Sequence, residues 1–349
     1  MSGECEEEIK KRDKQKMRVC FPLIKTNSGT DFWTFNLARV LRIWGVETIV
    51  HCYPQRYQFF PYLLRRESRR IRADIIHTNS WNGFVFKGDA PLVVTEHHIV
   101  HDQVLDRYKS LAQKLFHKLV YRFERESFAV AEQITCVSEH TKRRLKEVFG
   151  VEAVRIYNGV DVERFSPKKV ENLLMTEKGK TVLLFVGNMS RRKGTDLLVR
   201  IMERLGDRFV LLCVSARRRG IARIGANIHI IGNLPQDKML DYYNYCDIFV
   251  FPSRSEGLSC ALIEAMACAK PVVATDCSSI GEVVIQEKGG FLCEMDNIEE
   301  FAEKIRILAQ DSLLRKRMGL FNRERVERHF SLTQMGENYY ALYKSLSGK

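Results

Sequence analysis

The 349-residue chain has no apolar run long enough to span a bilayer, which excludes a bilayer-spanning helix. Its first sixteen residues, MSGECEEEIKKRDKQK, carry both charge signs and no apolar h-region, so residues 1–16 read as a solvated tail and not as a secretory signal. None of the ten cysteines forms a CxxC pair. Cys20, Cys52, Cys136 and Cys213 sit inside apolar strand-like runs, where cysteine behaves as a small hydrophobe. A disulfide framework or zinc centre is therefore not expected, and a reducing, cytoplasmic compartment is the simpler reading. Short-period repeats and low-complexity segments are also missing, so neither a solenoid nor a disordered chain fits.

Hydrophobic residues make up 45% and charged residues 28% of the chain, ordinary values for a globular protein. Its length suits two α/β domains better than one core. The net charge of +13 is uneven: residues 1–170 hold 30 Lys and Arg against 21 Asp and Glu. Such an excess favours a polyanionic partner, which could be nucleic acid, an anionic membrane or a phosphorylated substrate.

Short apolar runs alternate with amphipathic stretches. Arg18–Leu23, Glu47–His51, Asp74–Thr78, Leu92–Thr95, Ile134–Val137 and Val154–Asn158 read as strands. Phe32–Trp44 reads as a helix with Trp33, Leu37, Val40, Leu41 and Trp44 on one face, Asp106–Ala131 as one long helix, and a further helix starts at Ser138. After a polar stretch at Ser166–Lys180 the same grammar restarts. Thr181–Val186, Phe209–Val214, Ile228–Ile231, Ile248–Phe251 and Val272–Thr275 are strands, and Asp196–Leu205 is a helix. Strand–helix alternation implies parallel sheets covered on both faces, with ligands outside the carboxyl ends of the strands. The last segment, Ser331–Leu346, reads as a helix.

Two loops after strands carry chemistry. The strand ending at Val186 runs into Gly187-Asn188-Met189-Ser190-Arg191-Arg192-Lys193-Gly194, and a helix follows. Three consecutive cations at a helix N-terminus suit an anion; the alternative is a solvated basic loop. The strand ending at Phe251 runs into Pro252-Ser253-Arg254-Ser255-Glu256-Gly257-Leu258-Ser259, where Ser259 can cap the next helix. Glu256 can reach a ligand at the helix mouth, while N–H groups near Leu258 and Ser259 face phosphates. Glu264, amid Leu262, Ile263, Ala265 and Met266, is a carboxylate on an apolar helix and needs a partner.

The pair Glu256 and Glu264, seven residues between them, continued by Ala-Met-Ala-Cys-Ala-Lys-Pro-Val-Val-Ala-Thr, resembles the signature of retaining glycosyltransferases of family 4. The likeness extends to Tyr157–Phe165, Gly187–Gly194, Val94–His97 and Ile134–Glu139, in the family's order. It implies a GT-B fold: α/β, two Rossmann-like doubly wound domains whose parallel sheets face a central cleft. The domains would be an acceptor-side unit at 17–160 and a nucleotide-sugar unit at 161–330, with a C-terminal helix at 331–349 packing back on the first.

The same resemblance implies roles. Lys193, helped by Arg192, would neutralise the donor diphosphate. Glu264 would hold the ribose hydroxyls, and Glu256 the sugar hydroxyls near the reacting carbon. His97 would lie between the domains beside the donor sugar. Gly29, in Asn27-Ser28-Gly29-Thr30, would form the first loop of the N-terminal domain. Gly232, Asn233 and Leu234 would border the nucleobase. Asn188 stands where the family often has Arg, so Arg191 or Arg192 would compensate. Ser28-Gly29 replaces a common Gly-Gly and departs from the loop of starch and glycogen synthases.

The activity implied is retaining transfer, of hexosyltransferase type, from a nucleotide-diphosphate sugar used as substrate. No cofactor is expected, and no metal, since no Asp-x-Asp motif stands at a suitable strand end. His98, His101 and Asp102 follow His97 closely, but no spaced partner completes a metal sphere, so His98 and His101 read as structural. On the acceptor side, Tyr53–Arg72 combines Tyr57, Phe59 and Phe60 with Arg65, Arg66, Arg69 and Arg70. This suits an anionic membrane surface and a lipid-linked or phosphorylated acceptor, as in glycan or glycolipid biosynthesis; the alternative is a core-packed helix with a basic face. Peripheral binding at the inner face of the membrane would follow. No nucleic-acid motif is present. A nucleotide-sugar epimerase and a non-catalytic nucleotide-sugar or membrane-binding module are the rival functions.

Overall fold

The structure is a computed structural model that describes residues 16–26, 28–170, 173, 179–215, 221–224, 227–232 and 234–348. The expected tail up to residue 15, Asn27 and Asn233 lie outside the described residues.

The chain forms two α/β lobes. In the first, β1 (Arg18–Ile24), β2 (Glu47–Tyr53), β3 (Ile75–Asn79), β4 (Leu92–Glu96), β5 (Gln133–Cys136) and β6 (Val154–Arg155) make a parallel sheet in the order β2-β1-β3-β4-β5-β6. In the second, the order is β13-β12-β11-β7-β8-β10-β9. Its strands are β7 (Thr181–Val186), β8 (Phe209–Ser215), β9 (Ile221–Ile224), β10 (Ile228–Gly232), β11 (Ile248–Phe251), β12 (Val272–Thr275) and β13 (Gly290–Cys293). Every residue of β8 is buried, as expected of a strand covered on both faces. Two strands escaped the sequence reading, β9 and the edge strand β13. β9 pairs antiparallel with β10, so the second sheet is not wholly parallel. Only three residues separate the two strands, too few for a parallel crossover.

Three helices differ from expectation. The first runs Gly29–Ile43, three residues earlier, and buries Trp33, Leu37, Val40 and Leu41 while Trp44 is half-buried. The long helix expected over 106–131 is split into a 3-10 turn Gln103–Tyr108 and a helix Leu111–Val130. Ser110 explains the break: its hydroxyl accepts from the Gln113 N–H at 3.2 Å and its own N–H donates to Gln113 Oε1 at 2.9 Å, a capping box that starts a new helix. Tyr53–Arg72 holds no continuous helix. It folds as short turns at Gln55–Gln58, Pro61–Leu64 and Arg65–Ser68, because Pro61 can only begin a helical turn.

The final helix, Leu332–Ser347, returns to the first lobe. It buries Met335, Tyr339 and Tyr343 against Trp33, Leu37, Val19 and Ile75. The Tyr343 hydroxyl meets His77 Nδ1 at 2.5 Å. The two connections between lobes run side by side: the Val160 N–H donates to Phe330 at 2.9 Å, and the Leu332 N–H to Val160 at 2.8 Å. No helix among the described residues is long and apolar enough to cross a membrane.

Candidate functional site

The carboxyl ends of β4, β7 and β11 converge where the lobes meet. After β7, Ser190 caps the turn Arg191–Lys193 by accepting from the Lys193 N–H at 3.4 Å. Gly194 then adopts φ +68°, and a β-carbon there would lie 1.9 Å from the Pro252 carbonyl oxygen. Only glycine fits on both counts, so the loops after β7 and β11 are held together at this point. Arg254 braces them further. Its N–H donates to the Arg192 carbonyl at 2.8 Å, and its guanidinium forks onto both Asp196 oxygens at 2.8 and 2.9 Å and reaches Asp296 at 2.6 Å.

This frame brings the expected cations and acid together. Lys193 Nζ lies 2.6 Å from Glu256 Oε1, and Arg192 lies 3.4 Å from the same oxygen while donating to the Ser255 carbonyl at 2.6 Å. The Ser253 hydroxyl also donates to Glu256. Burial alone would raise the Glu256 carboxyl, but Lys193 and Arg192 outweigh it and hold the group at about 2. Lys193 is itself lowered by burial, an effect that Glu256 partly offsets. Gly187 is beside them: a β-carbon on it would be 3.7 Å from the Lys193 chain. Asn188 is half-buried and Arg191 exposed, so Arg192 is the arginine that turns toward Glu256.

Glu264 sits on the helix Cys260–Ala267 and accepts from the Tyr243 hydroxyl at 2.7 Å. Burial pushes it up to about 7. Ser259 occupies the N-cap position, yet its side chain makes no capping bond, contrary to the sequence expectation, so the first N–H groups of that helix receive nothing from it. Leu258 is buried, and its carbonyl accepts from Asn158 Nδ2 at 2.9 Å. Gly232 ends β10, and Leu234 is partly buried against the core of the second lobe. Gly29 opens its helix, exposed, with nothing within 4 Å of the place a β-carbon would take.

From the first lobe, His97 meets Asn79 Oδ1 at 3.0 Å and sets its ring edge-on to Trp33 at 4.6 Å. Burial lowers it to about 3, so it is neutral at physiological pH. Its carbonyl oxygen lies against Gly257, where a β-carbon would be only 1.6 Å away. His98, set aside on sequence grounds, reaches across the lobes: its Nε2 meets the Ser255 hydroxyl at 3.0 Å. His101 meets Glu124 Oε2 at 2.6 Å inside the first lobe. Among the described residues, no group of three or more His, Cys, Asp or Glu is placed to hold a metal ion.

Sequence reasoning also missed Glu282, whose carboxylate accepts the N–H groups of Glu139 and His140 at 2.8 and 2.6 Å. It thereby caps a first-lobe helix from the second lobe, a pairing that only tertiary contact reveals. Tyr108 behaves similarly, donating to Asp296 at 2.8 Å. With these contacts made, the gap bordered by His98, His140, Arg144, Ser255, Glu256 and Gly257 has a volume of only about 10 Å³.

Of the residues expected at a membrane, Tyr57 is half-buried and turns its ring toward Tyr53, against expectation. Phe59, Phe60, Arg65, Arg66, Arg69 and Arg70 are exposed. Leu111 and Leu115 are also bare, at 80% and 68% exposure, and the Phe116 ring beside them meets Phe59 at 5.1 Å.

Two Rossmann-like lobes, one with cations and acids at its strand ends and the other bringing His97 and His98 to meet them, define a GT-B protein. Residues 19–164 match the family model described as Glycosyltransferase Family 4, and residues 180–311 the model described as Glycosyl transferases group 1. The chain belongs to this glycosyltransferase family.

Among curated relatives, an "uncharacterized glycosyltransferase" of Methanocaldococcus jannaschii is 31% identical over 222 residues, 62% of this chain and 60% of the relative. A GDP-mannose-dependent monoacylated alpha-(1-6)-phosphatidylinositol monomannoside mannosyltransferase of Corynebacterium glutamicum is 30% identical over 236 residues, 61% of this chain and 62% of the relative. The match thus spans under two thirds of either relative's length.

Among solved structures, sucrose-phosphate synthase from Thermosynechococcus elongatus superposes with a TM-score of 0.84 at 19% identity, over 95% of this chain and 100% of that one. Anabaena HepE in complex with UDP-glucose gives 0.74 at 17%, with the same coverage. At such identities the likeness is one of fold.

Proposed function

We propose that the protein transfers a glycosyl group from a nucleotide-diphosphate sugar to an acceptor, with retention of anomeric configuration and without a metal ion. The observation that carries this reading is the cluster of Lys193 and Arg192 on the buried Glu256, next to the N-terminus of the Cys260–Ala267 helix. Departure of a nucleoside diphosphate develops negative charge at one place. Fixed cations and free helix-end N–H groups stabilise it there without reorganising. Glu264 faces the ribose and Glu256 the sugar hydroxyls, with His97 as the neutral group on the opposite lobe. Two lobes joined by paired connections would part to admit the donor and close around it.

Names of similar proteins mention GDP-mannose and UDP-glucose, and both nucleotides are candidates for this chain. Thermal-shift titration with UDP, GDP and ADP identifies the donor base, since a specific ligand raises the melting temperature by mass action. Radiolabelled transfer with Lys193→Ala and Glu256→Ala tests the chemistry; full turnover in both sinks the reading. Sugar isomers formed from donor alone would instead reveal an epimerase.

The acceptor side is an anionic membrane surface, which positions a lipid-linked acceptor at the inner face. Bare Phe59, Phe60, Leu63, Leu111 and Leu115, ringed by Arg65, Arg66, Lys114 and Lys118, support this, because apolar anchors beside cations match headgroups over acyl chains. The relative acting on an acylated phosphatidylinositol mannoside points the same way.

A further inference from the structure

Behind the turn that presents His97 and His98 lies a pair of acids with no part in donor binding. Glu96 is the last residue of β4 and is 1% exposed; Glu124, on the helix Leu111–Val130, is 0% exposed. The two carboxyl groups hydrogen-bond each other. Glu96 Oε1 accepts the His98 N–H at 2.8 Å, and Glu124 Oε2 meets His101 Nε2 at 2.6 Å. That leaves Oε2 of Glu96 and Oε1 of Glu124, both buried and without a donor among the described residues. No lysine or arginine pairs with either acid among those residues.

Two ionised carboxylates cannot lie in contact in such surroundings: their repulsion is unscreened, and Oε2 of Glu96 and Oε1 of Glu124 would each lack a donor. We propose that Glu96 and Glu124 share one proton, and that this bridged pair is the positioning element that fixes the His97–His98 turn against the second lobe. The bridge locks the Glu96 side chain. Glu96 Oε1 then holds the His98 amide, and the turn delivers His98 to Ser255 and the His97 carbonyl to Gly257. Glu96 and Glu124 touch no reacting atom and act through the turn.

The surroundings keep the proton in place. The Ser80 hydroxyl donates to Glu96 and the Trp81 side chain to Glu124, which favours the ionised forms, but burial outweighs both. His101 is flanked by His117, Tyr121 and Phe149, with Lys109 and Asp106 nearby. Burial lowers His101 to about 4, so at neutral pH it is an uncharged neighbour of Glu124 and not its counter-ion. Burial raises both acids well above the usual carboxylate range. The pair therefore keeps its shared proton into the neutral range and releases it only at higher pH, when repulsion between the acids frees the turn.

The consequence for catalysis rests on the transferase reading, but the shared proton does not, and it is tested without turnover. Infrared spectra at pH 7 are expected to show a protonated-carboxyl band that weakens in Glu96→Gln and in Glu124→Gln, both measured in a Glu264→Gln background to remove the other raised acid. Nitrogen-15 histidine spectra are expected to show the His97 and His98 signals stepping together as pH is raised above 7 in the unaltered chain. In Glu96→Gln the step disappears, because the amide donates to Glu124 permanently while its carbonyl still accepts from His98. Should one glutamine variant fail to fold, the other decides. Should both fail, glutamate labelled with carbon-13 in the Glu264→Gln protein decides. Absence of the band, or histidine signals that do not step with pH, overturns the proposal. A failed transfer assay with the band and step intact overturns only the functional reading.

Discussion

The α-carbon of Gly257 faces the carbonyl oxygen of His97 so closely that a β-carbon would lie 1.6 Å away. The lobes therefore meet backbone to backbone where donor sugar chemistry is proposed, and any larger residue must separate them. Gly257→Ala is expected to leave each lobe folded, to enlarge the radius of gyration in small-angle scattering, and to lower turnover about a hundredfold through misplaced groups. Unchanged scattering with full turnover would show that this contact is dispensable.

Glu264 gives a pH prediction. Its folded value, about 7, exceeds the ordinary 4.5, so the folded state keeps a proton that the unfolded chain has already released between these values. Its contribution is fully present below pH 4.5 and is lost as pH rises to 7, by up to about 3 kcal/mol. Glu264→Gln keeps an acceptor for Tyr243 and removes the buried charge. It is expected to raise the melting temperature at pH 8 relative to the unaltered chain, while weakening nucleoside-diphosphate binding about tenfold or more in calorimetry.

Arg254 is a strut beneath the phosphate-side loop, 4% exposed and forked onto Asp196. Lysine keeps the charge but not the fork. Arg254→Lys is expected to destabilise the protein by about 1–3 kcal/mol in denaturant titration and to lower kcat/KM more than the melting temperature alone explains. A change confined to stability would remove its positioning role.

The exposed apolar patch yields a membrane prediction. Paired substitutions Phe60→Glu and Leu115→Glu are expected to abolish co-sedimentation with phosphatidylserine-containing vesicles at low salt, and to leave the melting temperature within about 1 °C, since both side chains are largely bare. Equal binding by the substituted and unaltered chains would end the membrane assignment.

The strands were legible because buried parallel strands are written as short apolar runs, and β7, β8 and β11 follow that pattern without exception at their centres. The helix boundaries were less so. Ser110 and Gln113 form a capping box whose first residue is an ordinary serine in a polar stretch, and the period of apolar residues runs on across it. β9 (Ile-Ala-Arg-Ile) and β13 (Gly-Phe-Leu-Cys) were missed because a charge breaks the one and a glycine opens the other, whereas β11 and β12, equally short, carry no such interruption. Tyr57 was placed outside because composition counts aromatic rings without saying which way they turn.

By itself, the sequence determined the two-lobed α/β plan and the residue types at the strand ends. Those depend on local pattern and on the few residues able to hold a charge at a helix mouth. Only the tertiary structure decided that Arg192 rather than Arg191 turns to Glu256, that His98 crosses to Ser255, and that Glu282 caps a helix of the other lobe. Each of these joins side chains far apart along the chain, and no periodicity or spacing encodes a distance that exists only once two separate cores have packed.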